Sequence, residues 1–282
     1  MEEIVLTHDA VLKRLPDRLP DSHKGSYGRV LIIAGSVGYT GAPCLAAIGA
    51  LRCGAGLVTL LVPKSVYAVV AGKMEEAMVM PLPSFQGKLS HFSLAEIKKQ
   101  IPKADVVLIG PGLGQSKSVC KIVLWILKHY SGPVVLDADG INVLSGHMDI
   151  LRGRIAPTVL TPHPGEFKRI GGQLSKGRVQ AAVEFAKDTG CVLVLKGHNT
   201  VITDGTSLYR NPTGNPGMAV GGSGDVLAGV IAALLGQGVP ILDAAACGAW
   251  IHGAAGDLCA KEIGQYGMLP TDMLSVLPRL LK

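Results

Sequence analysis

The stretch GGSGDVLAGV, residues 221–230, sets three glycines and a serine around one acid, then runs on without a charge. A helix starting there presents unpaired N–H groups and about half a positive charge, an arrangement that attracts anions. Glycines let the backbone approach a phosphate with no Cβ in the way. Gly221, Gly222, Ser223 and Gly224 therefore read as a cradle for an anion, with Asp225 in the first helical turn beside that same anion. The chemistry that suits the pair is phosphoryl transfer to an alcohol. A carboxylate cannot ionise an alcohol in the ground state, but it can take the proton as the oxygen attacks phosphorus. The helix end would supply positioning and charge stabilisation. A simple capping acid would contribute about 0.5–2 kcal/mol to the helix, and it would not need the run of glycines.

Further polar or glycine-rich clusters are GSVGYTGA (35–42), GPGLGQS (110–116), DADGIN (137–142), HPGE (163–166) and KGHNT (196–200). GPGLGQS is a poor dinucleotide fingerprint, because Gln115 stands where the third glycine belongs and the next acid is Asp137. No GxxxxGK[ST] phosphate loop occurs. His163 and Glu166 have the residue types of a metal pair, but Pro164-Gly165 makes the segment a loop and no third ligand is near in sequence. A substrate loop, with Glu166 starting the next helix, is the better reading. Among Asp137, Asp139 and Asn142, one is expected to cap the following helix and another to reach Mg2+ through water; which does which stays open. Lys196, Gly197, His198, Asn199 and Thr200 end an apolar strand, as a solvated turn or a contact to nucleotide phosphate or ribose. His252, in an alanine-rich helix, reads as a core or interface histidine.

The elements that must position these loops alternate along the chain. Strands are expected at 30–35, 58–63, 105–110, 133–140, 158–162 and 191–197, and helices in APCLAAIGALRCG, KSVCKIVLWILKHY, RVQAAVEFAKDTG, DVLAGVIAALLGQG and DAAACGAWIHGAAGDLCAKEIG. VITDGTSLYRN, turning at Asp204-Gly205, predicts a hairpin at one sheet edge. The expectation is one α/β domain over residues 1–282, a doubly wound, mostly parallel sheet with helices on both faces and its ligands at the carboxyl ends of the strands. Composition agrees: 48% of the 282 residues are hydrophobic and only 17% charged, as strands buried on both faces require. The net charge of +6 is scattered, which suits an anionic small molecule and argues against nucleic acid. Six cysteines without CxxC spacing read as buried reduced thiols. The first residues do not form a signal peptide, and the uncharged stretches 30–51 and 226–242 are broken by turn residues. A soluble cytoplasmic protein without a membrane span is expected.

In order, KGSYGRVLIIAGSVGYTGAP, GPGLG, VVLDADGIN, LTPHPGEF, VLKGHNTVI, NPTGNPGMAVGGSGDVLAG and AAACGAWIHGAAGD resemble the NAD(P)H-hydrate dehydratases, a branch of the ribokinase-like fold. The similarity runs from about Lys24 to the end of the chain. GxGD alone marks the wider superfamily, whereas HPGE, KGxxT and NPGMAxGGxGD in this order mark the dehydratases. The resemblance implies repair of NADHX and NADPHX: a nucleotide phosphorylates the ring hydroxyl, and loss of phosphate restores the double bond. It implies ADP as donor, or ATP, with Mg2+. Asp225 resembles the family's base; Ala42, Gly112 or Gly114, and His163 resemble the positions that touch the hydrate; Gly224 and Lys196 to Thr200 resemble those that touch the nucleotide. Ser223 replaces the threonine of the commoner GGTGD. A homotetramer is implied. No counterpart of the epimerase domain of fused bacterial members is seen, so an epimerase is expected as a separate protein. The rival readings are a ribokinase-like kinase of hydroxymethylpyrimidine, thiazole or pyridoxal, and a non-catalytic nucleotide sensor.

Overall fold

Short runs rich in Val, Ile and Leu become strands because each alternate side chain finds an apolar layer on its own side of the sheet. A computed structural model describes residues 2–281. Its strands are β1 (Glu3–Ile4), β2 (Arg29–Ile33), β3 (Leu57–Pro63), β4 (Met78–Leu82), β5 (Ser84–Phe85), β6 (Lys88–Leu89), β7 (Val106–Ile109), β8 (Val134–Leu136), β9 (Thr158–Leu160), β10 (Val192–Leu195), β11 (Val201–Thr203) and β12 (Leu208–Arg210). The main sheet has the order β1-β12-β11-β10-β9-β8-β7-β2-β3-β4, and β5-β6 form a separate hairpin. In the main sheet β11 alone runs against the others.

Val30, Ile32, Val106 and Leu108 point into one core, and Leu31, Ile33, Val107 and Ile109 into the other. Helices Gly41–Arg52, Ser223–Gly236, Ile241–Glu262 and Pro270–Val276 cover the first face. Helices Ser93–Gln100, Lys117–His129, Pro164–Arg169 and Arg178–Thr189 cover the second. The doubly wound α/β domain is therefore as expected. Two first-face helices touch backbone to backbone: a Cβ on Gly229 would lie 2.1 Å from the Ala46 carbonyl oxygen. That contact explains a glycine in the buried middle of this helix.

The chain leaves β2 for β3 and β4 on one side, then returns to β7 on the other. The loops after β2 and β7 meet at this switch of direction, the place where such sheets bind ligands: the Gly35 amide donates to the Pro111 carbonyl at 2.8 Å and the Ser36 hydroxyl to the Gly112 carbonyl at 2.7 Å. Most expected strands end earlier than their apolar runs suggest. The 133–140 segment leaves the sheet after Leu136, since Ala138 takes a positive φ of 48° and residues 139–142 form a helical turn. None of the three polar residues of DADGIN caps that turn from outside: Ala138 holds the cap position without a side-chain bond, and Asp139 is the first helical residue. The Asp204-Gly205 hairpin forms, but β1 adds beyond it, so β12 is not the sheet edge.

Candidate active site

Helix Ser223–Gly236 begins where Gly222 adopts a left-handed φ of 98°, which turns the chain into the helix. Its first residue is tied down from behind: His252 Nε2–H donates to the Ser223 carbonyl at 2.8 Å and lies 3.2 Å from the Ser223 hydroxyl. Burial pushes the His252 imidazole down to about 4, helped by Lys196, so it is neutral and Nε2 carries its proton. The expected core histidine is therefore buried, and it also fixes the start of the GGSGD helix.

Asp225 follows, half-buried, and makes no capping bond. Burial raises its carboxyl to about 7, with Asp137 adding to the rise and Lys196 opposing it. Lys196 comes from the end of β10. Its Nζ donates to Asp137 Oδ1 at 3.0 Å, lies 3.9 Å from Glu166 Oε2, and has a side chain 20% exposed. Burial pulls this ammonium down, but Asp137, Glu166 and Asp225 outweigh it and hold it above the usual lysine value. Asp137 also accepts from the Thr161 hydroxyl at 2.7 Å. A Cβ on Gly224 would stand 3.2 Å from Lys196 Nζ and 4.0 Å from Asp137 Oδ2, so the helix end meets this cluster without a side chain between them. Three acids thus converge on one cation, from the ends of β8 and β10 and from two helix N-termini.

His163 sits exposed on HPGE, where its Nδ1 accepts from the Gly165 and Glu166 amides while the His163 amide donates to Glu166 Oε2 at 2.8 Å. This reciprocal cap buries Glu166 and aims it at Lys196. Where the loops after β2 and β7 meet, Ala42 and Gly112 are neighbours: a Cβ on Gly112 would lie 3.0 Å from that of Ala42 and 2.8 Å from that of Tyr39. The Gly114 amide donates to Asp139 Oδ2 at 2.8 Å, so Asp139 braces the GPGLG loop and stands apart from the Lys196 cluster.

Behind Lys196 opens a cavity of about 390 Å3. KGHNT forms one wall, residues 211–216 a second, and Gly224, Leu227 and His252 close it. No role for NPTGNPG follows from its residues alone, because its anchors lie far along the chain. Asn211 Nδ2 donates to the Ala249 carbonyl, Thr213 Oγ1 to the Trp250 carbonyl, and the Gly214 amide to Asp257. The paired Asn-Pro dipeptides were the available signal. Of the expected nucleotide residues, Lys196 to Thr200 and Gly224 line the cavity, while the Ser223 hydroxyl faces His252.

Among the described residues no three His, Cys, Asp or Glu side chains form a metal cage, and no helix is long and apolar enough to cross a membrane. The site still suits Mg2+. Three acids against one lysine leave negative charge in excess, and Mg2+ commonly completes its shell with water and phosphate oxygens. Asp137 and Glu166 are the residues that would hold it.

A family model described as NAD(P)H-hydrate dehydratase matches residues 30–279. The chain belongs to the NAD(P)H-hydrate dehydratase family. Within it, the chain is 46% identical over 276 residues to a bifunctional NAD(P)H-hydrate repair enzyme of Moorella thermoacetica, covering 95% of this chain and 52% of the relative. It thus spans about half the length of the curated relatives it matches. Among solved structures, a ribokinase-like superfamily protein of Enterococcus faecalis superposes with a TM-score of 0.87 at 30% identity, covering 98% of this chain and 94% of that one. An ADP/ATP-dependent NAD(P)H-hydrate dehydratase of Bacillus subtilis, co-crystallised with ATP and Mg2+, gives 0.82 at 33% identity, covering 97% and 96%. The hydroxyethylthiazole kinase of Pyrococcus horikoshii, at 17% identity and a TM-score of 0.65, shares the fold.

Proposed function

We propose that this dehydratase-family protein converts (S)-NADHX and (S)-NADPHX back to NADH and NADPH, using ADP or ATP as phosphoryl donor. With ADP, the ring hydroxyl receives the β-phosphoryl group and AMP departs; elimination of phosphate then restores the ring double bond. Hydroxide is a poor leaving group and phosphate a good one, which is why a dehydration would begin with phosphorylation.

The observation that supports this most directly is Asp225: an unbonded carboxyl raised to about 7, in the first turn of a helix whose N-terminus faces Lys196. A base of that pKa is half ionised at neutral pH, and it takes the hydroxyl proton as the oxygen attacks phosphorus. The amides of the helix end and the Lys196 ammonium would hold the transferring group. When bound, Mg2+ neutralises charge on the phosphate oxygens. The hydrate would lie over Ala42, Gly112 and Gly114, with His163 at the rim, and the nucleotide would fill the cavity behind KGHNT.

The test is to incubate the protein with NADHX, Mg2+ and either nucleotide, following recovery of the reduced-nicotinamide absorbance together with AMP and phosphate release. No recovery with ADP or with ATP would remove the dehydratase. A stable phosphate ester from a hydroxymethylated vitamin would favour a kinase instead. The reading extends to a cytoplasmic homotetramer linked to an epimerase, a link supported by the word bifunctional in the names of the relatives.

A further inference from the structure

Arg178 is placed against its own local interest. It is the first residue of helix Arg178–Thr189, and the positive end of a helix disfavours a cation. Its Nε is buried with no acceptor, an arrangement that costs free energy. What it gains lies outside the helix. Nη1 donates to the His198 carbonyl at 2.7 Å, and Nη2 to the Leu195 and Lys196 carbonyls at 3.0 and 3.1 Å. One guanidinium therefore gathers three carbonyl oxygens, one from the last residue of β10 and two from the turn between β10 and β11.

That turn needs an external brace. Gly197 and Asn199 both take positive φ, 144° and 53°, and its only internal side-chain tie is the Thr200 hydroxyl to Gly197. Among the described residues, the amides of His198, Asn199 and Thr200 have no acceptor in the protein. Carbonyls drawn to one side by a cation, with free amides left over in a wall of the cavity, describe a backbone anion nest. A lysine cannot copy the planar fork that spans three acceptors.

We infer that Arg178 is the positioning residue that holds the Lys196–Thr200 turn in its nucleotide-accepting shape. The inference rests on the nucleotide site proposed above, and it assigns Arg178 no contact with the nucleotide itself. Affinity is read by direct titration of a fluorescent ADP analogue, without the dehydration assay, and melting temperatures are recorded alongside. Arg178→Ala is expected to weaken ADP binding at least about tenfold, on the scale of lost hydrogen bonds from a charged donor. The hydrate KM stays near the wild-type value, ethylguanidinium restores part of the affinity, and Arg178→Lys falls between. Unchanged ADP affinity in Arg178→Ala overturns the inference. So does a loss matched by an equal rise in hydrate KM and a large fall in melting temperature, which would mark a general structural role. If the wild type binds ADP but never dehydrates NADHX, the proposed activity fails while the Arg178 result stands on the titration. If the wild type binds neither ADP nor ATP, both fall.

Discussion

Replacing Asp225 by Asn tests the base and its environment in one variant. Asparagine keeps the volume and the helix position but cannot accept the hydroxyl proton. Turnover should fall at least about 100-fold, the lower scale for a positioned base, while ADP affinity holds, because the phosphate cradle is backbone and Lys196. The wild-type kcat/KM should rise with pH and level off above about 7, where the carboxyl ionises. Stability should move the other way. A carboxyl raised from 3.8 to about 7 binds its proton more tightly folded than unfolded. Its contribution is therefore complete below pH 3.8 and lost as pH rises through 7. In full, that loss would be about 4 kcal/mol at 1.36 kcal/mol per pH unit; partial solvent screening brings it to about 2 kcal/mol. Asp225→Asn avoids ionisation and should melt about 4 °C above the wild type at pH 8, a gap that closes toward pH 4. Dehydration rates and melting curves between pH 4 and 9 decide the matter. Turnover within tenfold of the wild type, or identical melting at pH 8, would refute the reasoning.

Lys196→Met removes the one group that opposes the rise in the Asp225 carboxyl, so the acid limb of kcat/KM should move above pH 7; a pH-rate series checks this. Nucleotide affinity should fall in the same variant, as the cluster is left with three acids and no cation. His252→Phe deletes the bond to Ser223 in a buried setting and should destabilise the protein by about 1–3 kcal/mol in denaturant unfolding. Because His252 is held near 4, the wild-type rate profile should show no ionisation of this residue between pH 5 and 8, and ring-proton titration by NMR reads it directly. Gly229→Ala would drive a Cβ to 2.1 Å from the Ala46 carbonyl, so thermal melting should show at least about 2 kcal/mol of destabilisation with ADP affinity little changed.

What local sequence could settle, it settled. Strand and helix periodicity follow from which side chains neighbour one another along the chain, so runs such as VLIIAG and KSVCKIVLWILKHY announced their elements and, by alternating, the doubly wound sheet. The glycines before Asp225 marked a helix start for the same reason. Strands stop short of their apolar runs where a distant contact overrides local preference. A Cβ on Gly110 would sit 1.7 Å from the Asp137 carbonyl oxygen, and that touching of two loops belongs to no single segment. The tertiary structure alone decided the chemistry of the cluster. Asp137 and Lys196 are 59 residues apart, Ser223 and His252 are 29 apart, and residues 211–216 reach their anchors across about 40 positions. Desolvation and Coulomb energies depend on distance through space. An acid that reads as an ordinary carboxylate in sequence therefore becomes a base of pKa about 7 only once folding has buried it and set Asp137 near it, against the opposing pull of Lys196.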